Sequence, residues 1–120
     1  MVVEHAYIKV SPGSGAAFEA AYVAAEHVLT GAAGCRGAAL FRDAEHADSY
    51  LLRVTWERLE DHLEVFPSSR AGRDFAAAVA SFFDGPPEVR HHAAEPVGGQ
   101  VACGQARRSV VEGVSPNRSR

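Results

Sequence analysis

The sequence predicts an α+β domain in which two helices cover one face of a four-stranded antiparallel sheet. Three observations predict it. The first segment alternates with the period of a half-buried strand, two later regions repeat apolar residues at helical spacing, and the elements follow in the order β-α-β-β-α-β. The chain has 120 residues, 47% of them hydrophobic, which suits a single core. We expect one domain over residues 1–96.

The first strand is predicted over residues 2–10, because alternate residues there are apolar. The set expected to face the core is Val2, Ala6, Ile8 and Val10. A helix should begin near Ser14, since the spacing then changes to a helical stripe of Phe18, Tyr22, Ala25 and Leu29. Gly31 and Gly34 bracket the end of this helix, as turns require.

Residues 36–42 and 49–56 are predicted to form two strands joined by the polar turn 43–48. A second helical region starts with the apolar spacing of Leu59, Leu63 and Phe66. Pro67 should interrupt it, and Ser68 or Ser69 should cap its continuation, which carries Phe75, Val79 and Phe82. The turn 85–87 then leads to a final strand over residues 88–95.

This order of elements defines the ferredoxin-like βαββαβ fold, which leaves one sheet face without helices. That face should carry Val3, Tyr7 and Leu51 among polar neighbours. Because such a face is too apolar to leave in water, we expect a homodimer that packs through it.

Charge and composition exclude several function classes. Residues 97–120 hold four arginines and Glu112, a formal charge of +3, so the total of −3 leaves −6 on residues 1–96. An acidic domain is a poor nucleic-acid partner. No apolar run is long enough for a signal peptide or membrane span, so we expect a cytoplasmic protein without membrane association. In that compartment Cys35 and Cys103 should be free thiols.

Residues 97–120 are rich in Gly, Ser, Gln and Arg and show little periodicity. They are expected to form a flexible tail. The alternative is an arm that clasps a partner subunit or adds an edge strand over residues 109–114.

Motifs for nucleotide or metal chemistry do not stand out in the sequence. No phosphate-binding glycine loop or metal-spaced Cys/His cluster is present. His91 and His92 are adjacent on a predicted strand, so they should point to opposite faces and cannot chelate one ion. One of them can face the helices, where a hydrogen-bonded core or interface histidine is the ordinary interpretation.

Trp56 and His62 are the candidate pair for chemistry. Trp56 ends the third strand on its helix-facing side, and His62 follows on the second helical region, on or beside the face that meets it. An imidazole desolvated in a shared, water-poor pocket would stay neutral and could accept a proton. The alternative is a partly exposed His62 hydrogen-bonded to Glu57 or Asp61, within a solvated acidic helix face.

Three segments resemble the antibiotic biosynthesis monooxygenase (ABM) family of small dimeric ferredoxin-like proteins. They are "YLLRVTWERLEDHLEVFPSS" at residues 50–69, "FFDGPPEVRHH" at residues 82–92 and "IKVSPGSGAAFEAA" at residues 8–21. The resemblance runs from about residue 2 to residue 95. It implies a homodimer with a pocket between sheet and helices. Relatives include monooxygenases and quinol oxidases that oxidise phenolic rings with molecular oxygen and no metal or flavin, and haem-degrading enzymes.

Carried over by position, Trp56 matches the pocket tryptophan of the polyketide-oxidising members, and His62 stands where they have a tyrosine. Their asparagine and arginine correspond to Leu52 and Ala76, so the polar groups that hold the known substrates are missing. The tryptophan and histidine of the haem-degrading members fall on Val65 and Phe75, which argues against haem degradation.

The resemblance therefore implies a cofactor-independent monooxygenase or oxidase that takes oxygen as co-substrate and acts on a phenolic or hydroquinone-type small molecule. His62 is the expected proton acceptor. The residues expected to line the substrate pocket are Trp56, Phe66, Tyr22, Phe75, Leu52 and His91. The alternative function is a non-catalytic dimeric module of the same fold that binds an apolar small molecule or scaffolds another protein.

Overall fold

A computed structural model of the chain describes residues 1–100 and 102–103. Its elements are β1 (Val2–Lys9), α1 (Gly15–Thr30), β2 (Cys35–Arg42), β3 (Ser49–Trp56), a π-helical turn (Asp61–Val65), α2 (Phe66–Ser68), α3 (Arg70–Val79), a 3₁₀ turn (Ala80–Phe82) and β4 (Glu88–Ala93). The strands form one antiparallel sheet in the order β2-β3-β1-β4. This confirms the predicted ferredoxin-like α+β fold.

The core lies between the sheet and the helices, as the two periodicities predict. The buried stripe of α1 consists of the four predicted residues, Phe18, Tyr22, Ala25 and Leu29. It packs against the inward side chains of β1 and β3, which include Ala6, Ile8, Leu52 and Val54. Fully burying an aliphatic side chain of this kind contributes about 1.5–3 kcal/mol, so this interface supplies much of the driving force for folding.

β1 is a central strand, and its register positions the candidate site. It pairs with β3 on one side and with β4 on the other. Glu4 is aligned with Val54 of β3 and with His91 of β4. Because residues directly across antiparallel strands share a sheet face, the side chains of Glu4, Val54 and His91 all point toward the helices.

The second helical region differs from its predicted form. Leu59 and Leu63 have helical spacing but are exposed, with 54% of Leu63 accessible. The chain forms a wide π-helical turn here, so the apolar spacing of an α-helix does not describe which side chains face inward. Ser69 is the residue that caps α3: its hydroxyl accepts from the Gly72 amide at 3.0 Å and donates to the Phe66 carbonyl at 2.7 Å.

The sheet face opposite the helices carries apolar side chains. Tyr7 is 49% exposed and Phe41 is 42% exposed, with the Arg53 guanidinium 5.0 Å from the centre of the Phe41 ring. Val3 and Leu51 lie partly buried beside them. The predicted uncovered face therefore exists within the described part of the chain.

The remaining differences lie at element ends. β4 stops at Ala93 instead of residue 95, and β2 begins at Cys35. Cys35 and Cys103 are both free. Apart from residues 97–100, 102 and 103, the predicted tail and the alternative edge strand at 109–114 lie outside the described residues. Among the residues that are described, no helix has the length and apolar character needed to cross a membrane.

Candidate functional site

Trp56 and His62 lie against each other on the helix side of the sheet. Trp56 ends β3 and is fully buried, while His62 belongs to the π-helical turn, and 19% of its side chain is exposed. The two rings are stacked, with centroids 5.4 Å apart and planes inclined by 15°. The indole is therefore the surface on which the imidazole rests.

The residue before His62 fixes the turn from which the imidazole points inward. The Asp61 carboxylate is buried and accepts from the Arg58 backbone amide at 2.9 Å and from its guanidinium at 3.2 Å. Gly34 approaches so closely, at a φ of +82°, that a side chain there would overlap Asp61. This contact holds the π-helical turn against the loop that follows α1.

Two expectations about the acidic residues near His62 are therefore wrong. Asp61 is not part of a solvated acidic face, because it is buried as a local cap. His62 is not hydrogen-bonded to Asp61 or to Glu57, since Glu57 pairs with Arg36 at 3.2 Å. Asp61 and Glu57 therefore have partners other than His62.

Glu4 is a site residue that the sequence reasoning missed. It is only 6% exposed, and its Oε1 accepts a hydrogen bond from Trp56 Nε1 at 2.9 Å. The same oxygen lies 3.3 Å from His62 Nε2. The available signal was the alternation of β1: Glu4 occupies the inward position between Val2 and Ala6, where a carboxylate needs a buried partner.

His91 completes the cluster from β4, whereas His92 turns away from it. His91 Nε2 lies 2.7 Å from His62 Nδ1, with ring centroids 5.0 Å apart. His92 is on the opposite sheet face, where its Nδ1 lies 2.9 Å from His5 Nδ1. The two adjacent histidines thus face opposite ways, as strand geometry requires.

Burial reverses the usual order of acidity between Glu4 and His62. Burial raises the pKa of Glu4 from 4.5 to about 6, although the hydrogen bond from Trp56 acts in the other direction. Burial, and then the neighbouring His91, lowers the pKa of His62 from 6.5 to about 4. The pKa of Glu4 therefore lies above that of His62, so near pH 7 a carboxylate faces a neutral imidazole despite their ion-pair distance.

The other predicted lining residues lie at increasing distance from this cluster. Phe66 packs on Trp56, with ring centroids 5.3 Å apart. The ring centroids of Phe75 and Phe66 are 6.3 Å apart, and those of Tyr22 and Phe75 are 6.2 Å apart. The Tyr22 hydroxyl points to Glu26, to which it donates at 2.8 Å, and burial together with this carboxylate raises the pKa of Tyr22. Leu52 is a core residue further back along β3.

Three cavities formed by the described residues lie away from the cluster. One of about 410 Å³ opens between α1 and β2 and is lined by Tyr22, Glu26 and Leu40 among others. Two of about 460 Å³ lie at the opposite end of β1, around Lys9. Neither His62 nor Trp56 lines any of the three.

The fold and this cluster define a ferredoxin-like α+β domain with a buried carboxylate–imidazole site. The family model described as "Antibiotic biosynthesis monooxygenase" (ABM) matches residues 1–80. The chain therefore belongs to the antibiotic biosynthesis monooxygenase family. This confirms the resemblance found in its sequence motifs.

Individual relatives agree with this assignment. The chain is 34% identical over 91 residues to YczJ of Bacillus subtilis, an uncharacterized protein, and the match covers 76% of this chain and 96% of YczJ. A crystal structure from Bordetella bronchiseptica, named for the same family, has 35% identity and a TM-score of 0.75 over 79% of this chain and 97% of that one. Rv0793 of Mycobacterium tuberculosis shares the fold, with 20% identity and a TM-score of 0.64 over 79% of this chain and 95% of that one.

Proposed function

We propose that this protein is a cofactor-independent monooxygenase or oxidase that oxidises a phenolic or hydroquinone-type small molecule with molecular oxygen. The observation that carries the proposal is the buried cluster: a neutral imidazole stacked on Trp56 and placed next to the Glu4 carboxylate, within a family of monooxygenases. Such a cluster can take up a proton in a place from which water is largely excluded, which is what activation of a phenol requires.

The chemistry balances without an external reductant. Loss of the O–H proton gives a phenolate, whose electron-rich ring can reduce oxygen directly. In the oxidation of a phenol to a quinone, the ring loses its O–H and one C–H hydrogen. One oxygen atom becomes the new carbonyl and the other leaves as water. For a hydroquinone the products are the quinone and hydrogen peroxide. The protein contributes orientation and a proton acceptor, for which we propose His62.

The proposed working form is a cytoplasmic homodimer that packs through the uncovered sheet face. Exposed Tyr7 and Phe41 on this face support the proposal, because a second copy would remove them from water. The residues proposed to line the substrate site are those of the cluster and its aromatic neighbours, with Phe66 nearest to Trp56.

Oxygen uptake with a panel of hydroquinones and anthrones tests the proposal. We expect saturable uptake with at least one compound and a decrease in kcat of about 100-fold or more for His62→Ala, the usual range for loss of a general base. The matched control is His27→Ala, which removes an exposed imidazole from the end of α1 and should leave uptake unchanged. Unchanged uptake by His62→Ala would contradict the assigned role.

A non-catalytic binding module is the second candidate function. It is favoured by Leu52, which is buried in the core, and by Ala76, since both positions carry polar groups in the polyketide-oxidising members. Fluorescence of Trp56 separates the two functions. Quenching by phenols that comes with oxygen uptake supports the enzyme, whereas quenching by every tested phenol without uptake supports a binding module.

A further inference from the structure

Both ring nitrogens of His62 already face protein groups. Nε2 lies 3.3 Å from Glu4 Oε1, and Nδ1 lies 2.7 Å from His91 Nε2. An imidazole in this position has no free nitrogen to offer a ligand. A proton from outside must therefore reach His62 through one of its two neighbours.

Glu4, His62 and His91 form a series of neighbouring proton-carrying groups, and their hydrogen-bonding capacities determine which nitrogen of each imidazole carries the hydrogen. An ionised Glu4 carboxylate can only accept, so the nitrogen facing it, His62 Nε2, carries the hydrogen. Neutral His62 then has its lone pair on Nδ1, and this lone pair accepts from His91 Nε2–H across 2.7 Å. The relay requires His91 to carry its single hydrogen on Nε2, which leaves Nδ1 as an acceptor that has no hydrogen-bond partner among the described residues.

The three residues differ in their access to solvent, so the series Glu4–His62–His91 has an inner and an outer end. Glu4 is 6% exposed at the centre of the sheet, whereas His91 lies on the edge strand β4 and is partly exposed. The outer end is therefore the one that a small molecule can reach. The inner end is a carboxylate that a ligand cannot touch.

We infer that Glu4, His62 and His91 form a proton relay in which His91 takes the proton from a bound phenol and Glu4 stores it. This inference rests on the proposed function for the nature of the ligand. His91 is then the residue that touches the substrate. His62 keeps its proposed role as a proton acceptor but receives the proton from His91 instead of directly from the phenol, and Glu4 is the terminal acceptor.

The relay consists of three proton transfers that balance. The phenol O–H proton moves to His91 Nδ1, the His91 Nε2–H proton moves to His62 Nδ1, and the His62 Nε2–H proton moves to Glu4 Oε1. Both imidazoles end neutral in their other tautomers, Glu4 ends as a carboxylic acid, and its negative charge has moved to the phenolate. No proton enters the solvent.

The surroundings of Glu4 favour it as the storage site. The groups that face it are the Trp56 indole N–H, the His62 imidazole, the cross-strand His91 and the nearby Cys35 thiol, and none of these is an arginine or a lysine. Burial therefore penalises the ionised carboxylate, and this is why the pKa of Glu4 lies near 6, above that of His62. A proton that arrives at the pair is therefore retained by Glu4. The 3.3 Å contact would shorten on transfer, as catalytic contacts commonly do when a ligand binds.

A nitrophenol provides a test that does not depend on oxidation, because only its phenolate absorbs visible light. We use 2-chloro-4-nitrophenol, a phenol more acidic than Glu4, in weak buffer at about pH 7, where the free probe is a phenolate. The bound probe should remain a phenolate while Glu4 takes up about one proton from the buffer, which a pH indicator reports. Glu4→Gln should lower this proton uptake by about fivefold or more, because an amide cannot take the proton. His91→Ala should weaken binding of the probe by about fivefold or more, because it removes the imidazole that contacts the phenolate.

Matched variants control for general effects of the substitutions. Glu64→Gln changes an exposed carboxylate of the same π-helical turn, and His27→Ala removes an exposed imidazole at the end of α1. Both should keep the wild-type proton uptake. Nitrogen NMR at pH 8 gives an independent readout: the ligand-free protein should contain His62 and His91 as Nε2–H tautomers.

Four results would overturn the relay: unchanged proton uptake in Glu4→Gln, no proton uptake by the wild type when the probe binds, an Nδ1–H tautomer of His62, or no saturable binding of the probe. Failure of the oxygenase function looks different. A protein that takes up a proton at Glu4 when the nitrophenolate binds, but oxidises none of the hydroquinones or anthrones, has the relay and lacks the activity.

Discussion

Replacing Glu4 with glutamine should make folding more sensitive to acid, because Glu4 and His62 have opposite effects on its pH dependence. The pKa of Glu4 is raised from 4.5 to about 6, so its favourable contribution is complete below pH 4.5 and is lost as the pH rises through about 6. The pKa of His62 is lowered from 6.5 to about 4, so its contribution is present above pH 6.5 and is lost as the pH falls through about 4.

The magnitude follows from counting protons. Between about pH 4.5 and 6, the folded pair holds one proton on Glu4 and the unfolded chain holds one on His62, so this pair leaves the free energy of unfolding nearly constant. Without the carboxyl group only the His62 titration is left. The pKa of Glu4 rises by about 1.5 units, from 4.5 to about 6, and each unit corresponds to about 1.4 kcal/mol in the free energy of unfolding. From pH 7 to pH 4, the variant should therefore lose about 2 kcal/mol more than the wild type.

Urea unfolding at a series of pH values measures this difference. Trp56 is the only tryptophan in the sequence, so its fluorescence reports directly on the cluster. Protein concentration must be held constant, because dimerisation would couple to unfolding. Glu64→Gln is the matched control, and its stability should parallel that of the wild type. Parallel pH profiles for wild type and Glu4→Gln would refute the opposed titrations of Glu4 and His62.

Two further predictions concern the cap and the uncovered face. Ser69→Ala should lower the free energy of unfolding by about 1 kcal/mol, because α3 loses its N-cap, while the exposed Ser68→Ala should have little effect in the same urea assay. Tyr7→Glu should shift the proposed dimer toward monomer in light-scattering measurements, because it places a charge in the interface. Val23→Glu on the exposed side of α1 should not. A wild-type chain that is monomeric at micromolar concentration would contradict the dimer.

The layered fold could be predicted because its signals are local and repeated. The stripe of α1 repeats over several turns, and every residue of it is buried. The second helical region could not be predicted to the same detail. Its apolar spacing fits an α-helix, but the side chains that face inward are set by the close contact of Gly34 with Asp61, which are far apart in sequence. Sequence spacing alone does not contain that contact.

The candidate site could be predicted in part for a similar reason. Trp56 and His62 are six residues apart, so strand and helix periodicity bring them to one place. Glu4 is 52 residues from Trp56 and looks like an interruption of the β1 alternation. Its partners exist only after β1, β3 and the π-helical turn have assembled. A charged residue in an inward strand position is thus better treated as half of an unidentified pair than as a defect in the pattern.

The position of β1 in the middle of the sheet implies a hierarchy of motion within the cluster. Glu4 is on a strand with hydrogen-bonded neighbours on both sides, whereas His91 is on an edge strand and His62 on an irregular turn. Elements with fewer neighbours open more often than central strands, so amide hydrogen exchange should be slowest around residue 4. Fluctuations of β4 and the π-helical turn would then separate the two imidazoles from each other while the Glu4 carboxylate keeps its place. The path from the surface to the buried carboxylate would therefore open and close through the motion of His62 and His91.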